Sequence, residues 1–290
     1  MTGETSRAVE GEMKAFPSPA TESPVELKDL FTQDHILHWQ TIQEIVGKSK
    51  LYVVFFTGRS GSTWLTDLAA STRLLGVPDE FLNDVRYIAA TYQNINEAAF
   101  EVARNTRTSN GVVGVEFSYG QTMTLCEMLD APVRAARVII PFYLRRRNLV
   151  AQAISTFRSV KSGLFHSTAS TAQSLRAYNS LLYDGEEICR WCRHILDEEI
   201  AFESLFANSS LRPAGRFFYE NLVSSPGWVL KWMYERILGE SAGDLHVNSG
   251  LQRISDTKSS AWEREFRVEY ADFLSEVREK RPALLSHLAD

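Results

Sequence analysis

The chain has 290 residues, enough to bury a full core as one large domain or two small ones. Its composition, 44% hydrophobic and 23% charged, argues against wholesale disorder or a fibre. A formal net charge of -5 leaves no global positive field to gather nucleic acid, so an anionic ligand has to be met by a local basic cluster.

Residues 1–27 carry Pro17, Pro19 and Pro24 among Ser, Thr and Glu with little apolar periodicity, and read as a flexible tail ahead of a single domain over 28–290. Leu51 to Phe56 is a continuous apolar run ended by Gly58, the pattern of a strand buried on both faces. Further strands are expected at Val112–Phe117, Val138–Leu144 and Arg216–Tyr219. Helical patterns at Trp64–Leu75, Asn148–Val160 and Trp228–Leu238 follow three of the four. This alternation predicts an α/β, P-loop-like three-layer fold with a mainly parallel central sheet flanked by helices. Pro141 removes a ladder donor and puts its strand at an edge or gives it a bulge. Residues 167–174, STASTAQS, read as a loop suited to act as a lid.

Between the first strand and its helix lies Gly58-Arg59-Ser60-Gly61-Ser62-Thr63. A tight Gly/Ser turn there aims several backbone N–H groups and the helix dipole at one spot, which suits a phosphate or sulfate. Ser60, Ser62 and Thr63 add hydroxyl donors, and Arg59 adds a planar fork of N–H groups. No lysine follows Gly61, so the Walker pattern of ATPases fails. A second basic cluster, Arg145-Arg146-Arg147, ends the third strand. Asn148 follows as an N-cap, with Val150, Ile154, Phe157 and Val160 as an apolar stripe. Strand carboxyl ends share one sheet edge, so the arginines and the 58–63 loop should converge on one crevice, with Ser155 in reach of an anion near Arg147.

These motifs resemble the sulfotransferase superfamily that uses 3'-phosphoadenosine 5'-phosphosulfate (PAPS). Its first motif is a strand–loop–helix with a basic residue, Ser-Gly-Ser/Thr-Thr and often Trp, here Arg59 to Trp64. Its second pairs a strand-end arginine with a serine eight residues on, here Arg147 and Ser155. Leu144 to Ser155, Gly76-Val77-Pro78-Asp79-Glu80-Phe81 and Trp262 to Arg267 narrow the resemblance to the Stf0-type bacterial sulfotransferases, known from trehalose sulfation in mycobacteria. Asn148 stands where that group has Asp, and caps as well.

The resemblance implies sulfuryl transfer to an acceptor hydroxyl, with Glu80 as general base. It implies that Arg59 and the loop from Gly58 through Ser60, Gly61, Ser62, Thr63 and Trp64 hold the donor's sulfonate and 5'-phosphate, and that Arg147 and Ser155 hold its 3'-phosphate. Arginine keeps its proton, so Arg59 should act by charge alone. Phe81 and His166 are candidate acceptor contacts, residues 81–110 and 162–185 should shape the acceptor cleft, and a homodimer is hinted at. No metal is expected. Cys189-Arg190-Trp191-Cys192 with His194 has too few zinc ligands, and Ile188, Trp191, Cys192, Ile195, Phe202 and Phe206 trace one buried helix face instead. Phe217 to Pro226 resembles the family's Tyr-Glu-Asp-Leu segment and is expected to be a structural strand-to-helix turn. The third cysteine, Cys126, adds no disulfide framework. With neither a secretory signal nor a membrane-length apolar run, a cytoplasmic protein is expected. The rival readings are a P-loop-type small-molecule kinase and a nucleotide-binding protein without turnover.

Overall fold

The computed structural model describes residues 31, 33–78, 80–83, 85–130, 138–165, 171–251 and 256–281. The 1–27 segment and His166 lie outside the described residues. Among the described residues four strands form the sheet: β1 (Lys50–Phe56), β2 (Val112–Ser118), β3 (Ile139–Arg145) and β4 (Gly215–Phe218). All neighbours pair in parallel, in the order β2-β1-β3-β4. The helices among the described residues, in chain order, are α1 (Trp39–Val46), α2 (Ser62–Thr72), α3 (Val85–Thr91), α4 (Ile95–Thr106), α5 (Tyr119–Met128) and α6 (Leu149–Ser162). They continue with α7 (Ala172–Ser180), α8 (Gly185–Asn208), α9 (Tyr219–Ser224), α10 (Pro226–Leu238), α11 (Thr257–Glu269) and α12 (Ala271–Lys280).

The expected three layers follow from the alternation of β1. Leu51, Val53 and Phe55 face a core with Ile42 and Ile45 of α1, Ile95 and Ala98 of α4, and Phe202 and Phe206 of α8. Tyr52, Val54 and Phe56 face Leu65 and Leu68 of α2 and Val229, Leu230 and Met233 of α10. With both faces covered, an uninterrupted apolar run is the stable choice for a central parallel strand. A third cluster joins α6, α8, α11 and α12 through Phe157, Ile188, Cys192, Trp262, Phe266 and Leu274. The cysteine pair belongs to it, and burial pushes the Cys192 thiol up to about 12, away from any reactive thiolate.

Three expectations need correction. Pro141 is neither at an edge nor in a bulge: β3 is an inner strand whose register against β1 runs unbroken from Leu51↔Ile139 to Phe56↔Leu144. The Pro141 carbonyl accepts from Ala214 N at 2.7 Å, just ahead of the first β4 pair, Phe142↔Gly215. Its hydrogen-less nitrogen points the same way, where β4 has not begun, so no bond to β1 is lost. Of the loop expected over 167–174, residues 167–170 lie outside the described residues, and the part from Ala172 belongs to α7. Thr171 and Ser174 form a reciprocal capping box, and the Ala, Gln, Leu and Arg that follow are good helix formers. Val160 is exposed, because it sits about 80° around α6 from Val150, off the stripe of Val150, Ile154 and Phe157.

Candidate active site

The carboxyl ends of β1 and β3 and the first turns of α2, α6 and α9 meet at one sheet edge. The turn after β1 is built by two left-handed residues, Arg59 at φ 62° and Gly61 at φ 97°. Gly61 is required for a second reason: a Cβ there would lie 2.5 Å from Tyr219 Cδ2. As N-cap of α2 it offers no side chain, so the first-turn N–H groups of that helix are left for a ligand. Most of the other long helices are capped from the side chain, by Asn94, Ser118, Asn148, Asp184 and Asp256 for example. Inside the turn, the Ser60 hydroxyl is fully buried and has no hydrogen-bond partner among the described residues. A buried polar atom without a partner costs about 1–3 kcal/mol, a cost an oxyanion seated in the loop relieves.

Arg59 gathers the expected residues around it. Its Nε donates to Ser155 Oγ at 3.2 Å, and its terminal nitrogen donates to the Phe165 carbonyl at 2.7 Å. Burial lowers its pKa, the Arg146 charge adds to the fall, and Tyr178, Glu80 and Tyr219 oppose it. An arginine so placed still keeps its proton. Glu80 is therefore within electrostatic reach of the loop, and its carboxylate accepts from Gln121 Nε2 at 3.3 Å. Phe81 is half-buried against the core that includes Phe55 and Phe117. Trp64 is half-buried on the opposite side of the sheet, its ring 6.0 Å from that of Tyr219.

The three arginines divide the work. Arg145 turns inward to a buried ion pair with Glu199 at 2.8 Å, so its role is structural. Arg146 lies 4.8 Å over the Tyr219 ring and donates to the Arg59 carbonyl at 3.4 Å, tying the turn after β1 to the turn after β3. Arg147 is exposed, its guanidinium 4.2 Å over the Phe218 ring.

Several residues of this edge escaped sequence reasoning. Gln152 donates to Thr57 Oγ1 at 2.9 Å and to the Gly58 carbonyl at 2.7 Å, holding the entry to the loop. Its place between Asn148 and Ser155 at helical spacing was a usable signal. Glu220 accepts from the backbone N–H groups of Arg147 and Asn148 at 3.0 and 3.2 Å. From the other side Arg281 donates to the carbonyls of Arg146 and Arg147 at 2.5 and 2.6 Å while paired with Glu199 at 2.8 Å. Asn148 is fixed in turn by Glu263 at 2.8 Å and Arg267 at 3.1 Å. The 217–226 segment is a strand-to-helix turn, as expected, and Tyr219 and Glu220 carry it into the site.

The model of the Stf0 sulphotransferase family matches residues 51–269. The chain belongs to the Stf0 sulphotransferase family. None of the curated proteins matches it. Membership makes the protein a transferase of the sulfotransferase kind, and the parallel α/β sheet agrees with that fold. The matched span of this Stf0 member takes in the 58–63 loop, Glu80, the arginine turn, Ser155 and the Glu263–Arg267 pair. Among the described residues no helix is long and apolar enough to cross a membrane.

Proposed function

We propose that the protein transfers a sulfuryl group from PAPS to a hydroxyl of a carbohydrate, glycolipid or other small acceptor. The observation that carries this reading is the buried, unpartnered Ser60 hydroxyl inside a turn whose helix lacks a side-chain cap, with Arg59 beside it. When bound, the donor supplies the sulfuryl group and a phosphate leaving group. The loop N–H groups from Gly58 to Trp64, with Ser60, Ser62 and Thr63, would hold that end, and Arg147 with Ser155 the 3'-phosphate. Arg59 contributes fixed positive charge where negative charge develops, held in place by Ser155 and Phe165. Glu80 takes the acceptor's proton at a carboxylate oxygen as the acceptor oxygen forms its bond to sulfur. Phe81 and the described residues 162–165 and 171–185 would border the acceptor side.

The test is incubation of the protein with PAPS and a metabolite extract, followed by mass spectrometry for species that gain a sulfonate. The expected result is such a species together with an equivalent of 3'-phosphoadenosine 5'-phosphate. Glu80→Gln should keep donor affinity and lose about 10²–10⁴-fold in turnover. Magnesium-dependent ADP formation from ATP with no sulfonate transfer would instead indicate a kinase, and nucleotide binding without turnover a binding protein.

A further inference from the structure

Gln121 occupies the third position of α5, where it closes a capping box. Its Oε1 accepts from the Ser118 backbone N–H at 2.7 Å, while the Ser118 hydroxyl accepts from Gln121 N at 3.4 Å. An amide whose oxygen is bound to a backbone N–H has one orientation only, so the opposite end must be the NH2 group. That end meets Glu80 Oε2 at 3.3 Å. A residue of the helix after β2 thus grips a carboxylate that precedes it by 41 positions, and a glutamine is used where the cap alone accepts Glu equally well.

We infer that Gln121 is a positioning residue for the general base: it fixes the Glu80 carboxyl by one oxygen and favours its ionised form. The inference rests on the reading of Glu80 as base. A donor pointed at a carboxylate stabilises the charged state and keeps its pKa down. Arg59, facing Glu80 from the β1–α2 turn, acts in the same direction. Ionised Glu80 is the form that can accept a proton, so loss of the Gln121 donor should make Glu80 a base only at higher pH.

The experiment is carbon-13 NMR of the full-length protein labelled at glutamate side-chain carboxyls, with the Glu80 signal assigned by its loss in Glu80→Gln. In Gln121→Met, which keeps the length but removes the donor, the Glu80 midpoint should rise by about one pH unit. Gln121→Glu keeps the cap but sets two carboxylates against one another, so the rise should be larger. Midpoints that stay put in both variants overturn the inference. So does a drop in the urea midpoint with no change in titration, which leaves Gln121 as a helix cap alone. Retained release of 3'-phosphoadenosine 5'-phosphate by Glu80→Gln overturns the parent reading, and with it any part for Gln121 in catalysis, even where the titration moves.

Discussion

Arg147 and Arg145 are two residues apart and have opposite fates, because β3 ends at Arg145 and Arg147 lies beyond it in the turn before α6. Arg145 points into the layer that holds Glu199; Arg147 emerges at the strand end, exposed on the Phe218 ring. An exposed cation whose backbone is held from both sides can reach a ligand without carrying the fold. Arg147→Ala should therefore weaken binding of 3'-phosphoadenosine 5'-phosphate by about 10–100-fold, the loss of one charge-assisted hydrogen bond. Adenosine 5'-phosphate, which lacks the group Arg147 addresses, should bind as before. Calorimetry with both nucleotides checks this, and equal weakening would place Arg147 elsewhere. That Arg147 follows a strand and Ser155 lies on the next helix was legible in the sequence, because strand, cap and helix are local patterns. Which of three adjacent arginines turns inward was not legible, since that depends on Glu199, more than fifty residues away in the chain.

Strand and helix positions were largely readable, because runs of Val and Phe bounded by Gly leave little choice. α5 was missed: its apolar periodicity is weak, and only the capping box of Ser118-Tyr119-Gly120-Gln121 announces it. The approach of α9 to the β1–α2 turn was also hidden, because Gly61 and Tyr219 are joined by no local pattern. That approach is tight. Gly61→Ala would force a Cβ to within 2.5 Å of a ring that also carries Arg146 4.8 Å above it, at a φ of 97°. The expected cost is about 1–3 kcal/mol of stability, read as a lower urea midpoint, with donor affinity falling alongside. A variant with unchanged midpoint and affinity would mean that the two elements separate easily.

At the scale of the molecule, the carboxylates set opposing responses to pH. Burial raises the pKa of Glu199, but the Arg281 hydrogen bond and the Arg145 charge outweigh it, so the net value lies below the usual range. Asp256 behaves alike, held at about 2 against burial chiefly by Arg158. Their contributions are present above the unfolded pKa and are lost as pH falls through the folded one. Glu198 has the reverse sign: burial and then the Glu199 charge raise it to about 7 from an ordinary 4.5. Its contribution is full below about 4.5 and is lost as pH rises through about 7. Stability should peak between these limits. Glu198→Gln should raise the urea midpoint at pH 8 and leave it nearly unchanged at pH 4; an equal shift at both would contradict the assignment.

The turn that presents Arg147 is completed by Arg281, which donates to carbonyls 134 and 135 residues earlier in the chain. A ribosome makes the four described strands, the turns after β1 and β3 and much of the core before that side chain exists. At about 5–20 residues per second the gap is on the order of ten seconds. For the later part of that interval, once β4 at Gly215–Phe218 has been made, the nascent chain has its strands but not the clasp on the Arg146 and Arg147 carbonyls, so the site proposed for the nucleotide's 3' end should mature only when α12 docks.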